Sequence, residues 1–102
     1  MVNVDQLEVR NNPELHRFEA QLEGDDYAVI LYSLRGDIIE MKHTEVPAAY
    51  QGQGIASKIV HDALEYARAH HLKVIPTCPT VTAYLKKHPE YDDIRVKRFD
   101  EQ

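Results

Sequence analysis

Residues 27–46 read YAVILYSLRGDIIEMKHTEV and show the clearest structural pattern in the chain. The part from Tyr27 to Leu34 is rich in β-branched and aromatic residues, which favour a central strand. Arg35-Gly36-Asp37 is typical of a tight turn, and Ile38 to Val46 reads as a second strand that Pro47 ends. The stretch therefore predicts an antiparallel hairpin.

Regular patterns on both sides extend this hairpin. Residues 16–22 alternate polar and apolar side chains, the period of a half-buried strand, and Gly24-Asp25-Asp26 predicts the turn that follows. From Gly54 to His71 the apolar residues are instead spaced three to four apart, which is typical of an amphipathic helix. The apolar side of that helix consists of Ile55, Ile59, Val60, Ala63, Leu64 and Ala67.

The C-terminal third adds a short strand, Leu72 to Pro76, and a short helix from about Thr80 to Lys87. Three apolar residues near the end predict a final strand or a tail packed on the core: Ile94, Val96 and Phe99. We expect the polar segments 1–12 and 97–102 to be flexible.

The order of these elements predicts an α+β fold. Its sheet is mostly antiparallel, a β-meander, and is followed by a helix, a parallel strand and a second helix. The strands 38–46 and 72–76 are expected to be parallel, because a helix connects them in a right-handed crossover.

Composition limits the class of protein. The chain has 102 residues, which suits one domain spanning 1–102, and a formal net charge of −5. Its single cysteine cannot form an internal disulfide and fits a reducing, cytoplasmic setting. The acidic balance gives no long-range attraction to nucleic acid or anionic membranes, and no apolar run reaches the ~20 residues of a membrane span. We therefore expect a cytoplasmic protein that binds neither.

The connection between the hairpin and the long helix contains two glycines. Residues 46–58 read VPAAYQGQGIASK, with Gly52 and Gly54 at the start of the helix. Glycine allows a ligand to approach the backbone closely, and the first helical turn offers unpaired N–H groups to an anion. The segment predicts a phosphate or pyrophosphate site with Lys58 at its rim. The alternative is a tight loop in which the glycines only relieve strain.

The segment Gln51-Gly52-Gln53-Gly54-Ile55-Ala56 resembles the Gln/Arg-x-x-Gly-x-Gly/Ala signature of the GNAT superfamily of N-acetyltransferases. Two later segments, Pro76-Thr77-Cys78-Pro79 and His88-Pro89-Glu90-Tyr91, occur at matching positions. Together they resemble very small, single-domain GNAT-like proteins with a cysteine after the strand that follows the helix. The resemblance covers about residues 15–94.

The resemblance implies that the chain binds acetyl-CoA or coenzyme A. The exposed backbone of Glu45 and Val46 would pair with the pantetheine arm where the strands 38–46 and 72–76 separate. The pyrophosphate would be held by the backbone amides of Gln51, Gly52, Gln53, Gly54, Ile55 and Ala56.

The implied activity is transfer of the acetyl group to an unidentified amine, on a small molecule or a protein. Larger relatives shape the acceptor pocket with additional N-terminal helices, for which this chain has no room. We therefore expect an open acceptor site, or one that a partner completes. One alternative is a non-catalytic sensor or scaffold module that binds CoA or acyl-CoA. Another is a small interaction domain whose glycine loop is only structural.

Cys78 is the leading catalytic candidate. It lies just before a helix, where the helix dipole lowers a thiol pKa. The resemblance implies a role near the acetyl thioester, as nucleophile or acid/base group, so that transfer is direct or passes through Cys78. The alternative is a small residue buried in the core.

Two further residues are candidates through the resemblance. Glu45 corresponds to the base that receives the proton of the acceptor amine, and Tyr84 to the acid that protonates the departing thiolate. The alternatives are a solvent-facing pair of Glu45 with His43, two residues apart on one strand, and a helix tyrosine with its hydroxyl in water.

The remaining polar residues predict no further site. The six histidines form no ligand-spaced cluster, so we expect no metal. The tyrosines Tyr32, Tyr50 and Tyr66 read as packing or surface residues. Lys86-Lys87 and the cluster from Arg95 to Arg98 either hold the 3′-phosphate of CoA or form solvated charged faces.

Overall fold

A computed structural model describes residues 2–96 and contains one five-stranded sheet, whose strands are ordered as they occur in the sequence. The first four strands are antiparallel neighbours, and the last is parallel to the fourth. This arrangement confirms the predicted α+β class. The strands are β1 (Val9–Asn12), β2 (Arg17–Gln21), β3 (Tyr27–Arg35), β4 (Ile38–Glu45) and β5 (Lys73–Pro76).

Two α-helices follow the meander, α1 (Ile55–Ala69) and α2 (Pro79–Lys87). The first was predicted from its apolar periodicity, and the second from the prolines beside its ends. Short 3-10 helices cover Val4–Gln6, Ala48–Tyr50 and Pro89–Ile94.

The predicted final strand is wrong in its first part, because Ile94 ends a 3-10 helix. Its side chain is buried in the core, as expected for a packed tail. After it, Arg95 forms one parallel bridge to Val74, and the Val96 N–H donates to the Val74 carbonyl. Phe99 lies outside the described residues.

Both helices pack on the same face of the sheet. The six apolar residues predicted for α1 are all buried, and Val81 and Leu85 of α2 join the same cluster. Burying an Ile, Val or Leu side chain stabilises the fold by about 1.5–3 kcal/mol, so the cluster holds both helices against the sheet. The sheet contributes Phe18, Ala20, Ala28, Ile30, Tyr32, Ile39, Met41 and Val74.

The N-terminal segment differs from the sequence expectation, which treated residues 1–12 as a flexible tail. Val9–Asn12 pair with β2 as an edge strand. Asn11 is held by two tyrosines: its amide donates to the Tyr66 hydroxyl at 2.9 Å, and the Tyr32 hydroxyl donates to its carbonyl at 2.5 Å. Polar residues of low strand propensity form this strand because these side-chain hydrogen bonds stabilise it.

An opening between β4 and β5 positions the candidate site. The pairing of these strands ends at Met41 with Pro76, and the Cys78 N–H then donates to the Met41 carbonyl at 3.0 Å. The register with β3 shifts so that Lys42 is an extra residue, a β-bulge. Among residues 2–96, none pairs with residues 42–45 on the β5 side. The predicted separation of the two strands is therefore present.

Candidate active site

The glycine loop leaves open space in front of the first turn of α1. Gly52 and Gly54 have φ angles of 83° and 85°, in the left-handed region that glycine adopts readily. A Cβ added at either would meet nothing within 4 Å. Gly54 caps α1 without a side-chain bond to the first turn, and that turn contains no acidic residue. The free N–H groups at this end can therefore receive an anion.

Tyr50 anchors this loop to the turn between β2 and β3. Its hydroxyl donates to Asp26 Oδ2 at 3.0 Å and to Glu23 Oε1 at 3.2 Å, and its side chain is buried. Burial raises the pKa of Tyr50 to about 12, with further contributions from the two carboxylates. The sequence left Tyr50 as a packing or surface residue, and the structure shows that it packs. The sequence missed the anchoring role, because the acidic partners are 24 and 27 residues away.

A groove of about 730 Å³ runs between the two helices and joins the loop. Its volume lies within the roughly 300–1,000 Å³ of small-molecule sites. Gly54 and Ser57 line both the groove and a smaller hollow at the loop. The other main lining residues are Val4, Asp5, Lys58, His61, Thr80, Ala83, Tyr84, Lys87 and His88.

Lys58, predicted at the rim of an anion site, lines this groove but already has a partner. Its ammonium lies 2.8 Å from Asp62 Oδ2, one helical turn along α1. A ligand phosphate must therefore share this cation with a carboxylate.

Cys78 caps α2, and its sulfur lies 3.2 Å from the Thr44 hydroxyl oxygen. Burial acts to raise the pKa of the thiol, but hydrogen bonds outweigh it and bring the pKa below its ordinary value. These bonds come from Thr44, from the backbone N–H groups of Val81 and Thr80, and from the Thr80 side chain. The direction agrees with the sequence expectation, whereas Thr44 was not identified.

The sulfur of Cys78 is buried, although its hydrogen bonds lower the pKa of the thiol. The residue is only 2% exposed and belongs to the core cluster. A thioester placed beside Cys78 would therefore be separated from the sulfur in this conformation by the atoms that cover it. The structural reading of this cysteine, as a small buried residue, therefore fits its packing.

Tyr84 projects from α2 into the groove wall and is half-buried. Its ring stacks on His88, with centroids 4.0 Å apart and planes at 15°. Burial raises the pKa of its phenol, and the carboxylates of Glu90, Glu65 and Asp62 act in the same direction. The phenol is therefore protonated at neutral pH, as an acid must be before it donates.

Glu45 lies on the other side of the strand from Cys78. Because Thr44 bonds to Cys78, its neighbours His43 and Glu45 project to the opposite face of the sheet. Their side chains are 3.8 Å apart and 58% and 61% exposed, which matches the solvent-facing pair considered above. The structure thus brings Cys78 and Thr44 together, and it separates Glu45 from the groove between the helices.

The backbone at Val46 differs from the expectation that it is free to pair with pantetheine. The Gln51 side-chain amide donates to the Val46 carbonyl at 3.1 Å. That carbonyl already has a partner, which the sequence did not reveal.

The other predicted residues are distributed over the surface. Lys87 lines the groove, and Lys86 is exposed elsewhere on α2. Arg95 is half-buried, whereas Lys97 and Arg98 lie outside the described residues. Tyr32 is buried and Tyr66 half-buried, which confirms their packing role.

Neither a group of metal ligands nor a membrane-spanning helix is found between residues 2 and 96. No three His, Cys, Asp or Glu side chains are grouped as metal ligands there. No helix in that range is long and apolar enough to cross a membrane.

Comparison with known proteins matches this arrangement to one family. A family model described as GCN5-related N-acetyl-transferase matches residues 17–94. Proteins named NATD1 from Gallus gallus and Homo sapiens are each 36% identical over 85 residues, covering 81% of this chain and 77% and 75% of their own. The solution NMR structure of a GCN5-like protein from Staphylococcus aureus superimposes with a TM-score of 0.68 at 27% identity. That match covers 96% of this chain and 93% of the other.

Proposed function

Because the chain belongs to the GCN5-related N-acetyltransferase family, we propose that it transfers the acetyl group of acetyl-CoA to an amine. One observation supports this proposal most strongly. The open glycine loop continues into the groove between α1 and α2 through Gly54 and Ser57, so one elongated phosphate-bearing ligand can occupy both.

The residues present suit coenzyme A. The N–H groups of the loop and of the first turn of α1 would hold the pyrophosphate, and no carboxylate of that turn repels it. The unpaired edge of β4 at residues 42–45 would bond to the pantetheine amides as an added strand would. Because the Gln51 side chain already donates to the Val46 carbonyl, the Glu45 backbone is the main partner for pantetheine at that end. When bound, acetyl-CoA supplies the activated acetyl thioester.

Two side chains are proposed to move the protons of direct transfer. Tyr84 donates its phenolic proton to the CoA sulfur as the C–S bond breaks and its electron pair moves to sulfur. Glu45 accepts, through water, the proton that the amine loses as the C–N bond forms. Since Tyr84 lies on the helix side and Glu45 on the opposite face, the amine approaches from the face that the helices do not cover.

We place Cys78 beside the acetyl group, and its burial favours direct transfer over a covalent route. In the covalent route the thiolate attacks the acetyl carbon, CoA leaves, and the amine then attacks the new thioester. That route requires Thr44 or the first turn of α2 to move and expose the sulfur. Cytoplasmic location and the absence of membrane or nucleic-acid partners remain part of the proposal, on composition alone.

A transfer assay tests the function. The protein is incubated with acetyl-CoA and a panel of primary amines, including polyamines and lysine peptides. Free CoA thiol is measured with a thiol reagent, and products are identified by mass. We expect amine-dependent release of CoA. Tight binding of CoA without acetylation of any amine would contradict the enzyme and favour the sensor or scaffold module.

A further inference from the structure

The hydroxyl of Tyr84 is held differently from the hydroxyls of three other packed tyrosines. The hydroxyls of Tyr32, Tyr50 and Tyr91 donate to side chains. In the described part of the chain, the Tyr84 hydroxyl has no hydrogen-bond partner, although its ring lines the groove. Ring contacts therefore decide where this phenol points.

His88 makes the closest of these ring contacts. The two rings are nearly parallel at 4.0 Å, whereas the tilted ring of Tyr91 is 6.3 Å away. On its other side, the imidazole Nδ1 lies 3.2 Å from Glu90 Oε2, in a contact that is exposed to solvent. His88 is the C-cap of α2, and its backbone N–H donates to the Leu85 carbonyl. Pro89 further restricts the backbone of His88.

We propose that His88 is a positioning residue whose stacked ring keeps the Tyr84 phenol in the groove. This inference rests on the proposed function, in which Tyr84 is the acid for the departing thiolate. His88 carries no proton in the reaction and acts on the transfer step through Tyr84. Its ring limits the orientations of Tyr84, so the hydroxyl stays within reach of the sulfur.

Substitutions at His88 separate its ring from its hydrogen bond. His88→Phe keeps the stacking and loses the bond to Glu90, whereas His88→Gln keeps a polar group and loses the ring. Because both variants lose the ring that restricts Tyr84, we expect His88→Ala and His88→Gln to lower kcat about three- to ten-fold. His88→Phe should retain kcat within about two-fold, and in the other two variants the loss should fall more on kcat than on KM for acetyl-CoA.

A double-mutant cycle shows whether the effect passes through Tyr84. In a Tyr84→Phe background, His88→Ala should cause no further loss of kcat, since there is no phenol left to position. Equal losses in the two backgrounds, or failure of His88→Phe to restore kcat, would overturn the proposal. The matched control is His70→Ala, which removes a similar stack on Tyr66 at 3.9 Å, outside the groove, and should leave kcat unchanged.

A second measurement does not depend on turnover. The ring proton resonances of Tyr84 should move in His88→Ala and stay near their wild-type positions in His88→Phe, because the neighbouring ring shifts them. Unchanged resonances in His88→Ala would overturn the positioning role even if transfer is absent. Failure of the wild-type protein to bind CoA would instead contradict the proposed function, so the two failures are distinguishable.

Discussion

The hydroxyl oxygen of Thr44 lies 3.2 Å from the sulfur of Cys78, which joins the unpaired part of β4 to the first turn of α2. These residues are 34 positions apart and meet only because β4 and β5 separate beyond Met41. The contact puts a hydroxyl that can donate to the thiolate beside the only cysteine of the chain, at the point where the thioester of the proposed acetyl donor would lie.

The first prediction concerns the protonation of this thiol. Thr44→Val removes a bond that favours the thiolate, so the pKa of Cys78 should rise toward the ordinary value of a thiol. The measurement is a pH titration of thiolate absorbance. Thr82→Val is the matched control, because its hydroxyl bonds to the carbonyls of Pro76 and Cys78, not to the sulfur. An unchanged titration in Thr44→Val would show that Thr44 does not lower the pKa of Cys78.

The second prediction separates the two routes of transfer. Cys78→Ala removes a buried sulfur and should lower the free energy of unfolding by about 1 kcal/mol. Because the sulfur is enclosed, we expect turnover within about ten-fold of wild type and no acetyl group on Cys78 in native intact-mass spectra. Acetylated Cys78 in the native protein, with turnover abolished in Cys78→Ala, would establish the covalent route. A denatured sample controls for non-enzymatic acetylation.

The third prediction tests the glycine loop against an equivalent strain elsewhere. Gly54→Ala forces alanine into a positive φ and should cost roughly 1–2 kcal/mol of stability. Its Cβ also occupies space where the pyrophosphate is proposed to lie, so CoA affinity should fall at least about ten-fold, the equivalent of 1.4 kcal/mol. Gly36→Ala, at φ 58° in the β3–β4 turn, is the control. It should lose stability without losing CoA affinity, and equal loss in both variants would refute a phosphate-binding loop.

The fourth prediction follows from Tyr50 and its two carboxylates. The pKa of Tyr50 is raised in the folded protein from 10 to about 12, so its contribution to stability is present below pH 10. That contribution is lost as the pH rises through about 12. Urea unfolding between these values should show a steeper fall in the free energy of unfolding for wild type than for Tyr50→Phe. Parallel curves for the two proteins would show that Tyr50 is not linked to folding in this way.

Local patterns in the sequence predicted most of the fold. The alternation in residues 16–22 and the spacing in Ile55–Ala69 report burial directly, because one face of each element must pack against the core. The edge strand Val9–Asn12 was missed because its stability comes from distant partners. Asn11 is an unfavourable strand residue until Tyr32 and Tyr66 satisfy its amide.

The features of the candidate site also fall into two groups: those that follow from nearby sequence and those that depend on contacts between distant elements. The glycine loop and the position of Cys78 before α2 follow from short-range sequence features. The Thr44 contact, the anchoring of Tyr50 and the partner on the Val46 carbonyl depend on how separate elements meet. The bulge at Lys42 shifts the register of β4 before Thr44, and nothing in the local sequence indicates that shift.

The most direct test of the account is an NMR titration of the full chain with CoA. If the loop holds the pyrophosphate, the backbone amide resonances of residues 51–56 should shift in a saturable manner. Resonances of the groove-lining residues Tyr84 and Lys87 should move over the same range of concentration, and Gly36→Ala should behave like wild type. No shift in residues 51–56 at saturating CoA, or shifts confined to surfaces outside the loop and groove, would contradict the central claim.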